Sequence, residues 1–119
     1  SALRTLASAR VPGKKIAVLG DMRELGESGK EEHARVGREA ALLGIDYVLT
    51  CGELAKSIHE AVSAPRALHY EQKNMLAEYL NELIAPGDAV LVKGSRGMKM
   101  EDIVTFLEQR LHSAIVPLV

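Results

Sequence analysis

The chain has 119 residues, and 47% of them are hydrophobic, which is enough for one domain with a substantial core. Its 15 basic and 16 acidic side chains nearly balance and it has no Trp, so we expect no binding of nucleic acid. No apolar run approaches the ~20 residues that cross a bilayer, so we expect no membrane insertion. The single cysteine, Cys51, excludes an internal disulfide and is compatible with a cytoplasmic protein.

The hydrophobic pattern predicts strands and helices that alternate along the chain. Short continuous apolar runs are typical of strands buried on both faces, while apolar residues three or four positions apart indicate helices. In chain order we predict a helix over 1–10, a strand over 15–19, a helix from about 28 to 43, a strand over 46–51, a helix over 53–62, a strand over 67–70, a helix over 71–84, a strand over 89–93 and a helix over 98–111. Residues 114–119 form either one more edge strand or a tail. The alternation predicts one doubly wound, Rossmann-like α/β domain over residues 1–119, with a mainly parallel sheet and helices on both faces.

The first loop of interest runs from Gly20 to Gly26 and follows the first predicted strand. Ligands of open α/β sheets bind where strands end and helices begin, because backbone N–H groups converge there. Asp21 is a candidate to hold an amine, a metal or a water, or else to cap the loop by accepting local N–H groups. Glu24 is a second carboxylate in the same loop, and a solvated charge is its simplest interpretation.

The second loop, Lys93 to Met100, follows the strand predicted over 89–93. Lys93 ends a buried strand, where a charge is costly unless it is paired, so a salt bridge to Asp21 is one interpretation. Gly94 allows close approach of a ligand, and Arg96 has the geometry to clamp a carboxylate or a phosphate. Ser95 adds a hydroxyl. A helix beginning about two residues later would add its dipole to the affinity for an anion.

Other polar positions carry weaker signals. Gly52 and Glu53 follow the second strand and face the same edge of the sheet, although entry into a helix explains them equally well. We interpret Cys51 as an inert buried thiol and His33 as a packed or capping histidine. The sequence has no GxxxxGK[ST] phosphate loop and no GxGxxG after the first strand, so neither a P-loop nor a dinucleotide site is expected.

The two loops together resemble one known family. Residues 18–26 (VLGDMRELG), His33 with Val36-Gly37, and residues 90–101 (VLVKGSRGMKME) look like the C-terminal domain of the Mur ligases, over nearly the whole chain from Leu3 to about Leu111. Within the family they are most similar to the ligases that add D-alanyl-D-alanine to UDP-N-acetylmuramoyl-tripeptide. This resemblance implies a three-domain, ATP- and Mg²⁺-dependent ligase whose N-terminal UDP-sugar domain and central ATP domain are absent from this sequence.

The resemblance also implies roles for the two loops. The domain would present the incoming dipeptide and close over ATP, and it would hold neither a catalytic residue of its own nor a metal. We expect a monomer that is inactive as an isolated domain. The residues expected to bind substrate are Asp21, Met22, Arg23, Gly52, Glu53, Lys93, Gly94, Ser95 and Arg96.

Two alternatives to the ligase domain stay open at this point. One is a stand-alone flavodoxin-like module that binds a small anion. The other is a phosphotransfer module that uses Asp21 with Lys93 in support.

Overall fold

The computed structural model describes residues 1–22, 29–63, 65–110 and 116–118, the last of these as backbone only. Strands and helices alternate along the chain, as the hydrophobic pattern predicts. The elements are α1 (Ala2–Ser8), β1 (Lys15–Gly20), α2 (Gly29–Leu42), β2 (Tyr47–Cys51), α3 (Lys56–Val62), β3 (Ala67–Tyr70), α4 (Lys73–Leu83), β4 (Ala89–Lys93), α5 (Glu101–Arg110) and β5 (Val116–Leu118). None of the described helices is both long and apolar enough to cross a membrane.

The described strands form one parallel sheet in the order β3-β2-β1-β4-β5. The predicted doubly wound fold is therefore confirmed, and the segment after α5 contributes an edge strand at Val116–Leu118 rather than only a tail. From β1 the chain adds β2 and β3 on one side of the sheet and then β4 and β5 on the other. The direction in which strands are added therefore reverses between β1 and β4. Ligands of open α/β folds bind at this switch point, outside the carboxyl ends of the strands.

Helices cover both faces of the sheet, and each face has its own core. Alternate residues of a strand point to opposite faces, so the continuous apolar runs of β1 and β4 feed both cores. On one side α1, α2 and α3 cover a cluster that includes Leu3, Leu6, Ala17, Leu19, Ala40, Val48, Ile58 and Leu91. On the other side α4 and α5 cover a cluster that includes Ile16, Val18, Leu49, Leu76, Leu80, Val90, Val92, Ile103 and Leu107.

Helix α2 packs unusually closely against α3. A Cβ built on Gly37 would lie 2.5 Å from the main-chain oxygen of Ile58, so a side chain larger than hydrogen does not fit at this crossing. This contact holds α2, and with it His33, against the sheet edge where the candidate site lies.

Helices α3 and α5 each begin three residues later than predicted. Helix α3 begins at Lys56 instead of Glu53, after a turn that contains Ala55. Helix α5 begins at Glu101 instead of Met98, because Arg96–Met98 form one 3₁₀ turn and Lys99 then adopts the left-handed conformation with φ 49°. A left-handed residue cannot continue a right-handed helix, so α5 has to start anew after it.

Candidate functional site

The carboxyl ends of β1, β2 and β4 meet at one edge of the sheet, which we call the rim. Leu19 lies opposite Lys93 in the β1–β4 register, and Gly20 lies opposite Cys51 in the β1–β2 register. The loops predicted to bind a ligand therefore leave the sheet side by side. The main-chain N–H of Ser95 donates to the main-chain oxygen of Asp21 at 2.8 Å, which ties the two loops together at the switch point.

Glycine and methionine fill the crevice between β1 and β4. A Cβ on Gly94 would lie 3.4 Å from the Cα of Gly20 and 2.7 Å from Cγ of Met100. A Cβ on Gly20 would lie 2.8 Å from Sδ of the same methionine, which is itself buried. The absence of side chains at Gly20 and Gly94 thus lets Met100 pack against the ends of both strands.

Asp21 has a structural role at the turn before α3. Its side chain is 4% exposed, and the main-chain N–H of Ala55 donates to its Oδ1 at 2.8 Å. The capping interpretation was therefore right in kind, but the partner lies in the turn before α3 rather than in the same loop. The carboxylate fixes the position of that turn relative to the end of β1.

Gly52 makes room for this carboxylate. The residue has φ 115°, and a Cβ there would lie 2.4 Å from Oδ1 of Asp21, so both its backbone conformation and the space around it require glycine. The neighbouring Glu53 is exposed, with Oε2 3.5 Å from Nζ of Lys56. Of this pair of predicted site residues, only Glu53 presents a functional group to solvent.

Lys93 is not buried, although its predicted pairing with a carboxylate assumed that it is. The first four residues of β4 are buried, but Lys93 itself is exposed, because it ends the strand at the edge of the sheet. Within the described part of the chain it forms no ion pair, and the alternative of a salt bridge to Asp21 is wrong. Arg96 and Lys99 are likewise exposed and without an ion pair among the described residues. The rim therefore carries three solvated cations on one short loop.

The start of α5 does not add to the attraction for an anion. The helix begins five positions after Arg96, and Glu101 and Asp102 occupy its first turn. These carboxylates already interact favourably with the helix N-terminus. Asp102 is also bound by Nζ of Lys73 at 2.9 Å. The expectation that this helix dipole would help to hold an anion is therefore wrong.

A cavity opens beside this cationic loop. It has a volume of about 380 Å³, within the usual range for small-molecule sites. Its lining combines the end of β4 with the first turns of α5, namely Val92, Lys93, Gly94, Met100, Glu101, Val104 and Thr105. A second cavity, of about 590 Å³ around Lys14 and Asp88, lies at the opposite end of the strands and contains none of the predicted site residues.

The remaining predicted residues are placed as follows. Ser95 and Met22 are both buried. Arg23 and Glu24 lie outside the described residues. His33 is fully buried, accepts the N–H of Met22 at Nε2 at 2.9 Å and contacts the main-chain oxygen of Gly29 through Nδ1. The interpretation of His33 as a packed histidine is therefore confirmed, although its link to the rim was not foreseen.

Burial shifts the pKa values of two other titratable groups that lie towards the rim end of the sheet. Burial raises the pKa of Cys51, and the nearby Asp21 charge raises it further, so the thiol stays protonated and inert. Burial also lowers the pKa of His69, as does the neighbouring His59, whose ring centroid is 5.9 Å away. No group of three or more potential metal ligands occurs in the part of the chain that the structure describes.

These features define a doubly wound α/β domain with an exposed cationic loop at its switch point. The family model of the Mur ligase glutamate ligase domain matches residues 1–96. The UDP-N-acetylmuramoyl-tripeptide–D-alanyl-D-alanine ligases of Bacillus subtilis and Escherichia coli are each 38% identical to the chain, over 108 and 103 residues. The alignments cover 87% and 85% of this chain, but only 24% and 22% of those relatives.

Solved structures agree with the sequence comparison. A crystal structure of MurF from Acinetobacter baumannii superposes on 92% of this chain with a TM-score of 0.80 and 29% identity, using 25% of its own length. The MurF ligase of Thermotoga maritima, solved in complex with ADP, covers 91% of the chain with a TM-score of 0.72 and 30% identity, using 24% of its length. The chain therefore belongs to the Mur ligase family, and it spans about a quarter of the length of the relatives it matches.

Proposed function

We propose that this chain is the C-terminal domain of an ATP-dependent ligase that adds D-alanyl-D-alanine to UDP-N-acetylmuramoyl-tripeptide. The curated relatives named above carry this activity in their names, at up to 38% identity. In this assignment the N-terminal UDP-sugar domain and the central ATP domain belong to the remainder of a longer protein. The same assignment carries the predictions of a monomeric, cytoplasmic enzyme, which sedimentation and cell fractionation would check.

The observation that carries the proposal is a pair of exposed cations on one loop, namely Lys93, which lines the cavity of about 380 Å³, and Arg96, three residues further along the chain. Lys93 and Arg96 have no ion pair among the described residues, so both are free to meet an incoming anion. Arg96 has the planar donor geometry that binds a carboxylate bidentately. The carboxylate of a dipeptide fits this chemistry, and the cavity of about 380 Å³ is large enough for such a ligand.

The contribution of this domain to the reaction is positioning. The amine of the dipeptide attacks the activated carboxyl carbon of the tripeptide, an amide bond forms, and phosphate leaves. Anchoring the carboxylate end of the dipeptide on Lys93 and Arg96 would orient its amine towards the tripeptide held by the other domains. Holding two reactants in a reactive geometry can supply a large part of the rate enhancement.

The described residues offer no binding site for ATP or Mg²⁺ from which a further step could be argued. The sequence has no P-loop, and the described carboxylates form no cluster suited to a cation. When bound, ATP supplies the phosphoryl group that activates the tripeptide carboxyl. We assign its main contacts to the central domain of the full-length ligase. A phosphotransfer role for Asp21 is not supported, since that carboxylate is buried and occupied by Ala55.

The test is steady-state kinetics on Arg96→Ala in the full-length ligase. We expect the KM for D-alanyl-D-alanine to rise about ten- to a hundred-fold, which corresponds to the loss of one charge-assisted hydrogen bond. Arg10→Ala is the matched control, because Arg10 is also exposed but precedes β1 at the opposite end of the sheet. An unchanged KM for every substrate in Arg96→Ala and Lys93→Ala would remove this loop from the active site.

A further inference from the structure

The peptide group between Asp21 and Met22 is held from both sides. Its carbonyl oxygen accepts the N–H of Ser95 at 2.8 Å, and its N–H donates to Nε2 of His33 at 2.9 Å. The C=O and N–H of a trans peptide belong to one rigid plane and point in opposite directions. Rotation of this plane therefore breaks both hydrogen bonds at once, so His33 and Ser95 are coupled through it.

The hydrogen bonds of His33 define its chemical state. The N–H of Met22 can only donate, so Nε2 must carry the free lone pair, and Nδ1–H then donates to the oxygen of Gly29 at 2.5 Å. The ring is fully buried in α2, and the close packing of Gly37 against Ile58 keeps that helix in place. The acceptor is thus rigidly aimed at the rim.

We propose that His33 is a positioning residue of the dipeptide site, acting through the Asp21–Met22 peptide on the loop that carries Ser95 and Arg96. This inference builds on the proposed function. His33 itself touches no ligand. Its acceptor nitrogen fixes the peptide plane, the plane fixes the N–H of Ser95, and Ser95 begins the 3₁₀ turn in which Arg96 stands.

Two variants distinguish the effect of the Nε2 acceptor of His33 from the effect of the rest of the ring. His33→Gln keeps an oxygen near the position of Nε2, where it can accept the N–H of Met22. His33→Asn keeps a donor near the position of Nδ1, for Gly29, and loses the acceptor at the rim. Ile16→Val is the control for stability, because Ile16 is fully buried near the start of β1, in the core on the other face of the sheet.

Kinetics on the full-length ligase give the first readout. In His33→Asn we expect the KM for D-alanyl-D-alanine to rise roughly three- to tenfold with kcat within twofold, the range for one lost neutral hydrogen bond. His33→Gln should keep the wild-type KM, and Ile16→Val should lower the melting temperature without changing KM. Equal effects of Asn and Gln, or a change in melting temperature alone, would overturn the proposal.

Nuclear magnetic resonance on the wild-type chain gives a readout that does not depend on activity or on the folding of a variant. We expect the nitrogen chemical shifts of the His33 ring to report a protonated Nδ1 and an unprotonated Nε2, with slow exchange of the Met22 and Ser95 amide protons. A protonated Nε2 would refute the coupling. If the ligase does not use the dipeptide at all, the proposed function fails, while the ring tautomer still decides whether His33 holds the peptide.

Discussion

Replacement of Asp21 tests whether this carboxylate only positions the turn before α3 or also contacts the substrate directly. In Asp21→Ala the buried N–H of Ala55 loses its acceptor, which lies 2.8 Å away in the wild-type chain. A hydrogen bond to a charged group contributes about 1.5–3 kcal/mol. At about 4 °C for each kcal/mol in a domain of this size, the melting temperature should fall by roughly 6–12 °C.

Asp21→Asn is the informative partner of this variant. The amide oxygen of Asn can still accept the N–H of Ala55, so a neutral hydrogen bond replaces a charged one and the free energy of unfolding should fall by only about 1–1.5 kcal/mol. Glu53→Ala is the control, since Glu53 is an exposed carboxylate of the same rim and its loss should change stability by less than about 0.5 kcal/mol. Urea unfolding of the purified chain measures all three changes.

Kinetics of the same variants decide the role of the charge. If Asp21 only positions the turn before α3, Asp21→Asn in the full-length ligase should keep the KM for the dipeptide within about threefold of wild type, a free-energy change below 1 kcal/mol. The reasoning would be refuted by a large rise in KM in Asp21→Asn at unchanged stability. That result would mean that the carboxylate charge binds the substrate directly.

Three further predictions concern packing, pH and ligand affinity. Gly37→Ala should lower the unfolding free energy in urea by about 1–3 kcal/mol, because the new Cβ would lie 2.5 Å from the Ile58 oxygen, and a stabilised variant would contradict this. Burial alone would raise the pKa of Asp88, but hydrogen bonds from Lys14 and Ala85 outweigh it and lower the pKa. The Asp88 carboxylate therefore contributes its full stabilisation of the fold above the unfolded pKa of about 3.9, and this contribution is lost as the pH falls through the lower folded pKa. We expect Asp88→Asn to be less stable than the wild type at pH 7 and to lose stability less steeply in acid. Calorimetry on the chain alone should give a dissociation constant for D-alanyl-D-alanine of about millimolar or weaker, because the rim buries little of the ligand, and micromolar affinity would contradict this.

The order of elements could be predicted from the sequence because its signals are local. Apolar runs such as Ile16–Leu19 and Ala89–Val92 are long enough to identify strands buried on both faces. The same local pattern placed both candidate loops after these strands, and the amino-acid sequences of those loops were specific enough to indicate the family. What stayed ambiguous, such as the C-terminal segment, was short and had no clear periodicity.

The tertiary structure decided which side chains of those loops face solvent and which partners they have. Asp21 binds Ala55, which is 34 positions away in the chain, and Met100 fills the crevice that the glycines open. No local pattern encodes such contacts, because they depend on how distant segments pack against one another. The sequence by itself thus determined a doubly wound domain of the Mur ligase family with two loops at one edge. Only the packing of α2 and α3 against that edge made Asp21 and His33 internal supports, whereas Lys93 and Arg96 stay exposed to solvent.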